Sequence, residues 1–149
     1  MAKTNKMDAS ASKLITLSKT YPVTAQAVFD AWVDPAGLGA WFLPGSSMGV
    51  TAEIDARVGG KFQIIMKTPE NELVHDGEYL EIDSPCRLVF TWISPGTQGE
   101  VSKVTVSLFG TLSGTRLDLT HEGLPTVESI ENHTSGWNQI LEKLADVVD

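Results

Sequence analysis

The sequence predicts an α+β fold, in which one curved antiparallel sheet wraps around a long C-terminal helix. From residue 51 to about residue 122, apolar side chains alternate with polar ones, and turn residues interrupt this pattern at regular intervals. Each predicted strand has one apolar and one mostly polar face, so the sheet needs a cover on one side only. From about Thr126 to Val148 the apolar residues instead recur at helical spacing. This helix is the expected cover of the apolar face.

The first elements of the chain precede this alternating region. We expect a disordered tail over residues 1–12 and a single domain over residues 13–149. The domain begins with a strand in KLITLSKTYPV, which Pro22 ends. Thr24 is the candidate N-cap of a helix in AQAVFDAWV, and DPAGLGAWF predicts a second short helix after Pro35. The two short helices would connect the first strand to the rest of the sheet.

Six further strands give a sheet of about six or seven strands. They are predicted in TAEIDA, GKFQIIMKT, ELVHDGEYLEI, RLVFTWISP, SKVTVSLFG and GTRLDLTHE. Four of these strands have an inward face of large side chains that are apolar except for His121 at the end of the last one. The faces are Phe62, Ile64 and Met66; Leu88, Phe90 and Trp92; Val104, Val106 and Leu108; Leu117, Leu119 and His121. These faces and the stripe on the last helix would form one core.

Composition argues against several classes of protein. The 149 residues have a net charge of −8 and an isoelectric point near 4.8, which argues against a phosphate backbone or an anionic membrane surface as the main partner. The single cysteine cannot form an internal disulfide, so a reducing compartment is compatible. The N-terminal MAKTNKMDASASK lacks the apolar core of a signal peptide. We therefore expect a cytoplasmic protein without a nucleic-acid partner or membrane insertion.

Four segments carry a resemblance to a known family: DARVGGKF, HDGEYLEIDSPCRLVFTW, GTRLDLTHEGLP and GWNQILEKLA. With them the sequence resembles the bacterial proteins built like the C-terminal domain of the activator of the heat-shock-protein-ninety ATPase. That family belongs to the SRPBCC, or START-like, superfamily with the birch-pollen-allergen fold. The resemblance extends from about Leu14 to Val148 and includes the early VFDAWVDPAGLGAWF.

The resemblance implies a helix-grip fold with an apolar cavity between the sheet and the last helix. It also implies a link to the stress response. Members of the wider superfamily bind lipids, steroids and other apolar ligands, and some are cyclases or oxygenase subunits, so the fold alone does not choose a function. The eukaryotic activator has a separate N-terminal chaperone-binding domain that these 149 residues do not match. Activation of a chaperone is therefore not the expected role.

The last helix predicts where such a cavity would lie. The C-terminal half of its apolar face consists of aliphatic residues, whereas the N-terminal, or upper, half holds His133, Trp137 and the small residues between them. We expect this upper half to border a space. Side chains from strand faces, and a lid from the second short helix, would complete a ligand-binding set of Trp41, Phe42, Met66, Tyr79, Trp92, His121, His133 and Trp137.

Each of these residues also has a purely structural interpretation. Trp92 and Trp137 have the residue type and position of core side chains, and Met66 is a common gap-filler. His121 is in register with two inward-facing leucines, so its ring should be buried and needs a partner. Tyr79 or His133 could provide one, or the ring could be satisfied by water or backbone at the rim of the sheet.

Catalytic and metal-binding patterns are scarce in the sequence. No triad, paired carboxylates or nucleophile elbow can be built from the spacing. His75 and Asp76 are adjacent on a strand and therefore face opposite ways. Three histidines and one cysteine without HxxH or CxxC spacing argue against a metal site, and we expect neither a metal nor a cofactor.

The favoured interpretation is binding of a small apolar or amphipathic molecule without chemistry. One alternative is a cyclase-like or isomerase-like enzyme that uses His121, Tyr79 or His133 for general acid–base catalysis. Another is a co-chaperone-like module that binds a protein partner through its surface. The sequence leaves the choice between monomer and homodimer open.

Overall fold

The computed structural model describes residues 14–42 and 49–148, so the tail expected at residues 1–12 lies outside the described residues. The strands are β1 Leu14–Tyr21, β2 Gly49–Ile54, β3 Lys61–Lys67, β4 Glu72–Asp83, β5 Arg87–Trp92, β6 Ser102–Thr111 and β7 Gly114–Glu122. The α-helices are α1 Ala25–Val33 and α2 Val127–Val148, and single 3-10 turns span Leu38–Ala40 and Pro95–Thr97. No helix in this part of the chain is long and apolar enough to cross a membrane.

The seven strands form one antiparallel sheet in the order β1-β7-β6-β5-β4-β3-β2. Each strand from β2 to β6 pairs with the next strand along the chain, whereas β1 pairs with β7. The segment that contains α1 therefore crosses from one edge of the sheet to the other. With α2 on the apolar face, this is the helix-grip architecture, and the predicted fold is confirmed.

Helix α2 begins where the sequence predicts. The Thr126 hydroxyl accepts a hydrogen bond from the Ser129 amide at 3.0 Å, which caps the first turn. Further along, the Tyr21 hydroxyl on β1 donates to the Leu141 carbonyl at 2.9 Å. Leu141 and Leu144 are buried in the core. This half of α2 is therefore held to the sheet by a dense apolar core and one buried hydrogen bond.

The expected N-cap of α1 is confirmed, because the Thr24 hydroxyl accepts a hydrogen bond from the Ala27 amide at 3.2 Å. The second short helix is only a single 3-10 turn at Leu38–Ala40. Gly37 and Gly39 explain this, since glycine costs about 1 kcal/mol relative to alanine in a helix. The Asp34 carboxylate also accepts from the Ala36 amide at 3.1 Å, which favours a turn over a helix.

One close approach fixes the middle of β4 against its neighbours. A Cβ atom on Gly77 would lie 2.1 Å from the Thr91 carbonyl oxygen on β5 and 2.2 Å from the Phe62 ring on β3. Only glycine fits there without moving a strand. Two residues further, a β-bulge between Tyr79 and Glu81 shifts the pairing of β4 with β5.

Candidate ligand-binding cavity

The N-terminal half of α2 does not fill the space above the sheet. Between them lies a partly open cavity with a volume of about 230 Å³. Its described lining comes from β3, β4, the end of β5, the 3-10 turn that follows β5, and α2: Met66, Leu73, His75, Trp92, Ser94, Pro95, Gly96, Asn132, His133, Gly136, Trp137 and Ile140. The cavity is therefore at the end of the core where the sequence predicts a space.

The lining is mainly apolar. Its polar side chains are His75, Ser94, Asn132 and His133, and the described lining contains no lysine, arginine, aspartate or glutamate. Neighbouring ring side chains form part of its walls. The ring centroids of Trp92 and Trp137 lie 5.4 Å apart, and those of His75 and Trp92 lie 4.9 Å apart. Such a lining suits an uncharged, largely apolar ligand.

His133 is held in one orientation by the first turns of α2. Its Nδ1 lies 2.8 Å from the Ser129 carbonyl oxygen, which can only accept, so Nδ1 carries the proton and donates. The Ser129 hydroxyl donates to the Gly96 carbonyl at 2.6 Å. Burial lowers the pKa of His133 below its usual range, so the ring is neutral at pH 7. Its Nε2 therefore carries a lone pair, which accepts no hydrogen bond from the residues that the structure describes.

His75 lies on the opposite side of the cavity, on β4. Its side chain is only 8% exposed, and its Nδ1 lies 3.3 Å from the Ile64 carbonyl oxygen on β3. Burial lowers the pKa of His75, with a smaller contribution from His133 in the same direction. Both cavity histidines are therefore neutral at physiological pH.

His121 does not line the cavity but lies behind Trp137. Trp137 Nε1 donates to His121 Nδ1 at 3.0 Å, so the other nitrogen, Nε2, carries the proton and donates to the Ser102 hydroxyl at 2.8 Å. Ser102 in turn donates to the Trp92 carbonyl at 2.6 Å. Burial lowers the pKa of His121 to about 3, and the neighbouring His133 contributes to this shift. The ring is neutral and both of its nitrogens are occupied.

The hydrogen-bond partners of His121 differ from the expected ones. Tyr79 and His133 were the expected candidates, but Trp137 and Ser102 satisfy the ring. His133 contacts it only edge to face, with the ring centroids 5.0 Å apart. The expected inward orientation of His121 is confirmed, since the residue has no exposed surface.

The structure brings four of the eight candidate residues together around the cavity: Met66, Trp92, His133 and Trp137. Phe42 and Tyr79 instead border a separate void of about 20 Å³, too small for a ligand. Trp41 is fully buried, in edge-to-face contact with Trp32 at a centroid distance of 5.0 Å. Trp41 and Phe42 therefore belong to the aromatic core in this structure, and the expected lid is absent from the described lining.

Several lining residues were missed from the sequence. His75 is adjacent to Asp76 in the sequence, but it shares a strand face with Leu73, and both His75 and Leu73 line the cavity. This alternation was the available signal. Ser94, Pro95 and Gly96 form a turn after β5 that gave no periodic signal. Asn132 precedes His133 on α2 and is itself exposed.

Three buried tryptophans have no hydrogen-bond partner for Nε1 within residues 14–42 and 49–148: Trp32, Trp41 and Trp92. Leaving a buried N–H group unpaired costs free energy. Trp92 is the one of these three that lines the cavity. Its Nε1 atom has almost no accessible surface, so this N–H group lies in the packed interior and is not exposed to the cavity.

Solved structures share this fold. Protein CV1439 from Chromobacterium violaceum is 26% identical, with a TM-score of 0.81 over 91% of this chain and 96% of that chain. Protein NE0264 from Nitrosomonas europaea is 24% identical, with a TM-score of 0.78 over 93% of this chain and 95% of that chain. The AHSA1-like protein from Aeromonas hydrophila is 22% identical, with a TM-score of 0.73 and 91% of each chain covered.

A comparison with the curated proteins finds no significant match. Residues 22–149 match a family model described as "Activator of Hsp90 ATPase homolog 1-like protein". The matched segment contains α1, all strands from β2 to β7, and α2. It therefore includes every described residue that lines the cavity.

Proposed function

Because the chain belongs to the Activator of Hsp90 ATPase homolog 1-like family and its helix-grip fold leaves one end of the core open, we propose that it binds a small apolar or amphipathic molecule without chemistry. The observation that supports this most directly is the cavity of about 230 Å³ between α2 and the sheet. Its walls are aromatic and aliphatic, with a few polar groups that can orient a ligand.

The size of the cavity suits a small molecule. An apolar cavity of about 150 Å³ in another protein is known to bind benzene, so this volume has room for a substituted ring. Burying roughly 300 Å² of apolar ligand surface at about 25 cal/mol/Å² contributes about 7 kcal/mol. The cost of association reduces this to a weak or micromolar affinity.

Filling the cavity tests the proposal. Gly136 lines it from α2, and Gly136→Leu adds a side chain that occupies ligand space. We expect this variant to lose binding of an apolar probe such as 4-methylanisole, followed by NMR titration. Its thermal stability should be kept or raised, because leucine favours the helix by up to about 1 kcal/mol relative to glycine.

Asn138→Leu is the matched control, because Asn138 is exposed on the same helix. It adds the same side chain outside the cavity and should leave probe binding unchanged. Equal affinity in the wild type and in Gly136→Leu would contradict binding in this cavity. Native mass spectrometry of protein purified from its own host would then look for the natural ligand.

An enzymatic role is the second candidate, and the position of His133 favours it. Of the three acid–base candidates, His133 alone is among the described lining residues, and its free Nε2 could accept a proton from a bound substrate. His121 is satisfied on both nitrogens. An enzyme of this kind predicts that His133→Phe abolishes turnover while substrate still binds.

A further inference from the structure

We propose that the cavity selects neutral, planar molecules that donate a hydrogen bond, with a phenolic hydroxyl as the simplest such group, and that His133 Nε2 accepts this bond. This inference rests on the proposed function and adds the chemical class of the ligand. It follows from the direction of the hydrogen bonds around His133, from the absence of charged side chains in the described lining, and from the shape of the walls.

The surroundings of His133 fix the position of its proton. The Ser129 carbonyl oxygen lies 2.8 Å from Nδ1 and can only accept. The Ser129 hydroxyl lies 3.5 Å from the same nitrogen, and its own proton is directed to the Gly96 carbonyl. Both groups near Nδ1 are therefore acceptors, so Nδ1 is protonated and Nε2 offers a lone pair. The complementary ligand group is an O–H or N–H donor.

Charge excludes the ionic versions of such a ligand. The described lining has no lysine or arginine to compensate an anion and no aspartate or glutamate to compensate a cation. A charged group would lose its hydration without gaining a partner. The net charge of −8 opposes anions further. A neutral donor avoids both costs.

The walls favour a flat ring. The Trp92 ring lies beside the rings of His75, at a centroid distance of 4.9 Å, and of Trp137, at 5.4 Å, and all three residues line the cavity. A hydroxyl group can donate to an imidazole, which an ether or a hydrocarbon cannot do.

The test uses three probes with the same methyl-substituted ring: p-cresol, 4-methylanisole and 4-methylbenzoate. Affinities for the full chain at pH 7.5 are measured by NMR titration of backbone amides. We expect p-cresol to bind more tightly than 4-methylanisole, although the ether is more apolar. The carboxylate should bind at least about tenfold more weakly than p-cresol, because its charge is uncompensated.

His133→Phe keeps a ring at this position and removes the acceptor. It should weaken p-cresol binding about five- to tenfold, as expected for one hydrogen bond, and leave 4-methylanisole within about twofold. The control is Asn132→Ala, which removes another polar group of the same lining and should affect both probes equally. Thermal denaturation checks that both variants are folded.

A second measurement does not depend on a variant. In the wild type, the Nε2 nitrogen of His133 should have the ¹⁵N chemical shift of an unprotonated ring nitrogen, and this resonance should move when p-cresol binds but not when 4-methylanisole binds. A protonated Nε2, tighter binding of the ether or the carboxylate, or selectivity that His133→Phe leaves unchanged would overturn the ligand class while leaving the cavity as a binding site. Failure of all three probes to bind would contradict the proposed function itself.

Discussion

At the scale of single residues, His121 shows how a histidine remains neutral in the core. Its ring accepts from Trp137 Nε1 and donates to the Ser102 hydroxyl, and this hydroxyl donates to the Trp92 carbonyl. Every polar atom in this series has a partner, so the burial cost of the ring is offset. Protonation of His121 would break the Trp137 hydrogen bond, because both ring nitrogens would then be donors.

The low pKa of His121 predicts acid sensitivity. Its pKa is about 3 in the folded protein and about 6.5 in the unfolded chain. Above pH 6.5 the ring is neutral in both states; below it the unfolded state takes up a proton that the folded state cannot, so the free energy of unfolding falls. Between pH 7.5 and pH 5 we expect a loss of about 2 kcal/mol from His121 alone, measured by urea denaturation.

The pKa values of His75 and His133 are also lowered by burial, so they add to the loss in the same direction. His121→Leu removes one of these proton-binding groups. Whatever its absolute stability, its dependence on pH over this window should be shallower than that of the wild type by about 2 kcal/mol. An unchanged dependence in the variant would show that His121 is not the group responsible.

Substitutions at two buried tryptophans measure how much the Trp137 hydrogen bond contributes to the free energy of unfolding. Trp137→Phe removes the donor and leaves the buried His121 Nδ1 unpaired, whereas Trp32→Phe removes an Nε1 that already lacks a described partner. Both substitutions remove the same volume from buried sites. We expect the free energy of unfolding to fall by about 1–3 kcal/mol more for Trp137→Phe. Equal losses in chemical denaturation would contradict the hydrogen-bond assignment.

At the scale of elements, α2 is divided into two halves with different surroundings. Its N-terminal half contributes Asn132, His133, Gly136 and Trp137 to the cavity, whereas Leu144 in the other half has no exposed surface and lies outside the cavity lining. Helical periodicity is the same in both halves. The difference therefore comes from what each half faces, a cavity in one case and packed side chains in the other.

Alanine substitutions of two aliphatic side chains with the same number of carbon atoms test this difference between the halves of α2. Leu144→Ala should cost about 3–5 kcal/mol, the range for a close-packed core position. Ile140 is buried but lines the cavity, so it has fewer neighbours to lose, and Ile140→Ala should cost at least about 1 kcal/mol less. Thermal or urea denaturation of the two variants compares them directly. A larger loss at Ile140 would contradict the division of α2.

The elements also show what a single sequence can predict. The strands and α2 were placed well because alternation and helical spacing are local properties of consecutive residues. The Trp137–His121 hydrogen bond joins residues on α2 and β7, and the Ser102–His121 bond joins neighbouring strands. Such pairs depend on the register of the strands and on the position of α2 on the sheet, and no pattern of consecutive residues predicts either. For the same reason the position of Trp41 and Phe42 in the core could not be predicted.

At the scale of the whole molecule, a group of aromatic side chains separates the open end of the core from the packed end. Trp137 contacts the rings of Trp32, Phe42 and Trp92 at centroid distances of 6.1, 5.7 and 5.4 Å. These rings come from α1, the 3-10 turn region, β5 and α2. They join distant parts of the chain beside the cavity, so we expect a bound ligand to stabilise the whole fold.

A ligand that binds only the folded state should therefore raise the melting temperature. At p-cresol concentrations about ten times the dissociation constant, the expected stabilisation is about 1.4 kcal/mol. For a chain of this length this corresponds to an increase of about 3–6 °C in thermal denaturation. Gly136→Leu should show no increase at the same p-cresol concentration. An equal increase in that variant would indicate binding elsewhere.

The bonded series from Trp137 through His121 and Ser102 to Trp92 has a mechanical consequence. These bonds connect the two tryptophans that line the cavity, so we expect the spacing between them to change little when a ligand is bound. Adaptation to differently shaped ligands would instead come from Pro95 and Asn132, which line the cavity and are exposed. The cavity would then be selective for the thickness of a ligand and tolerant of its length.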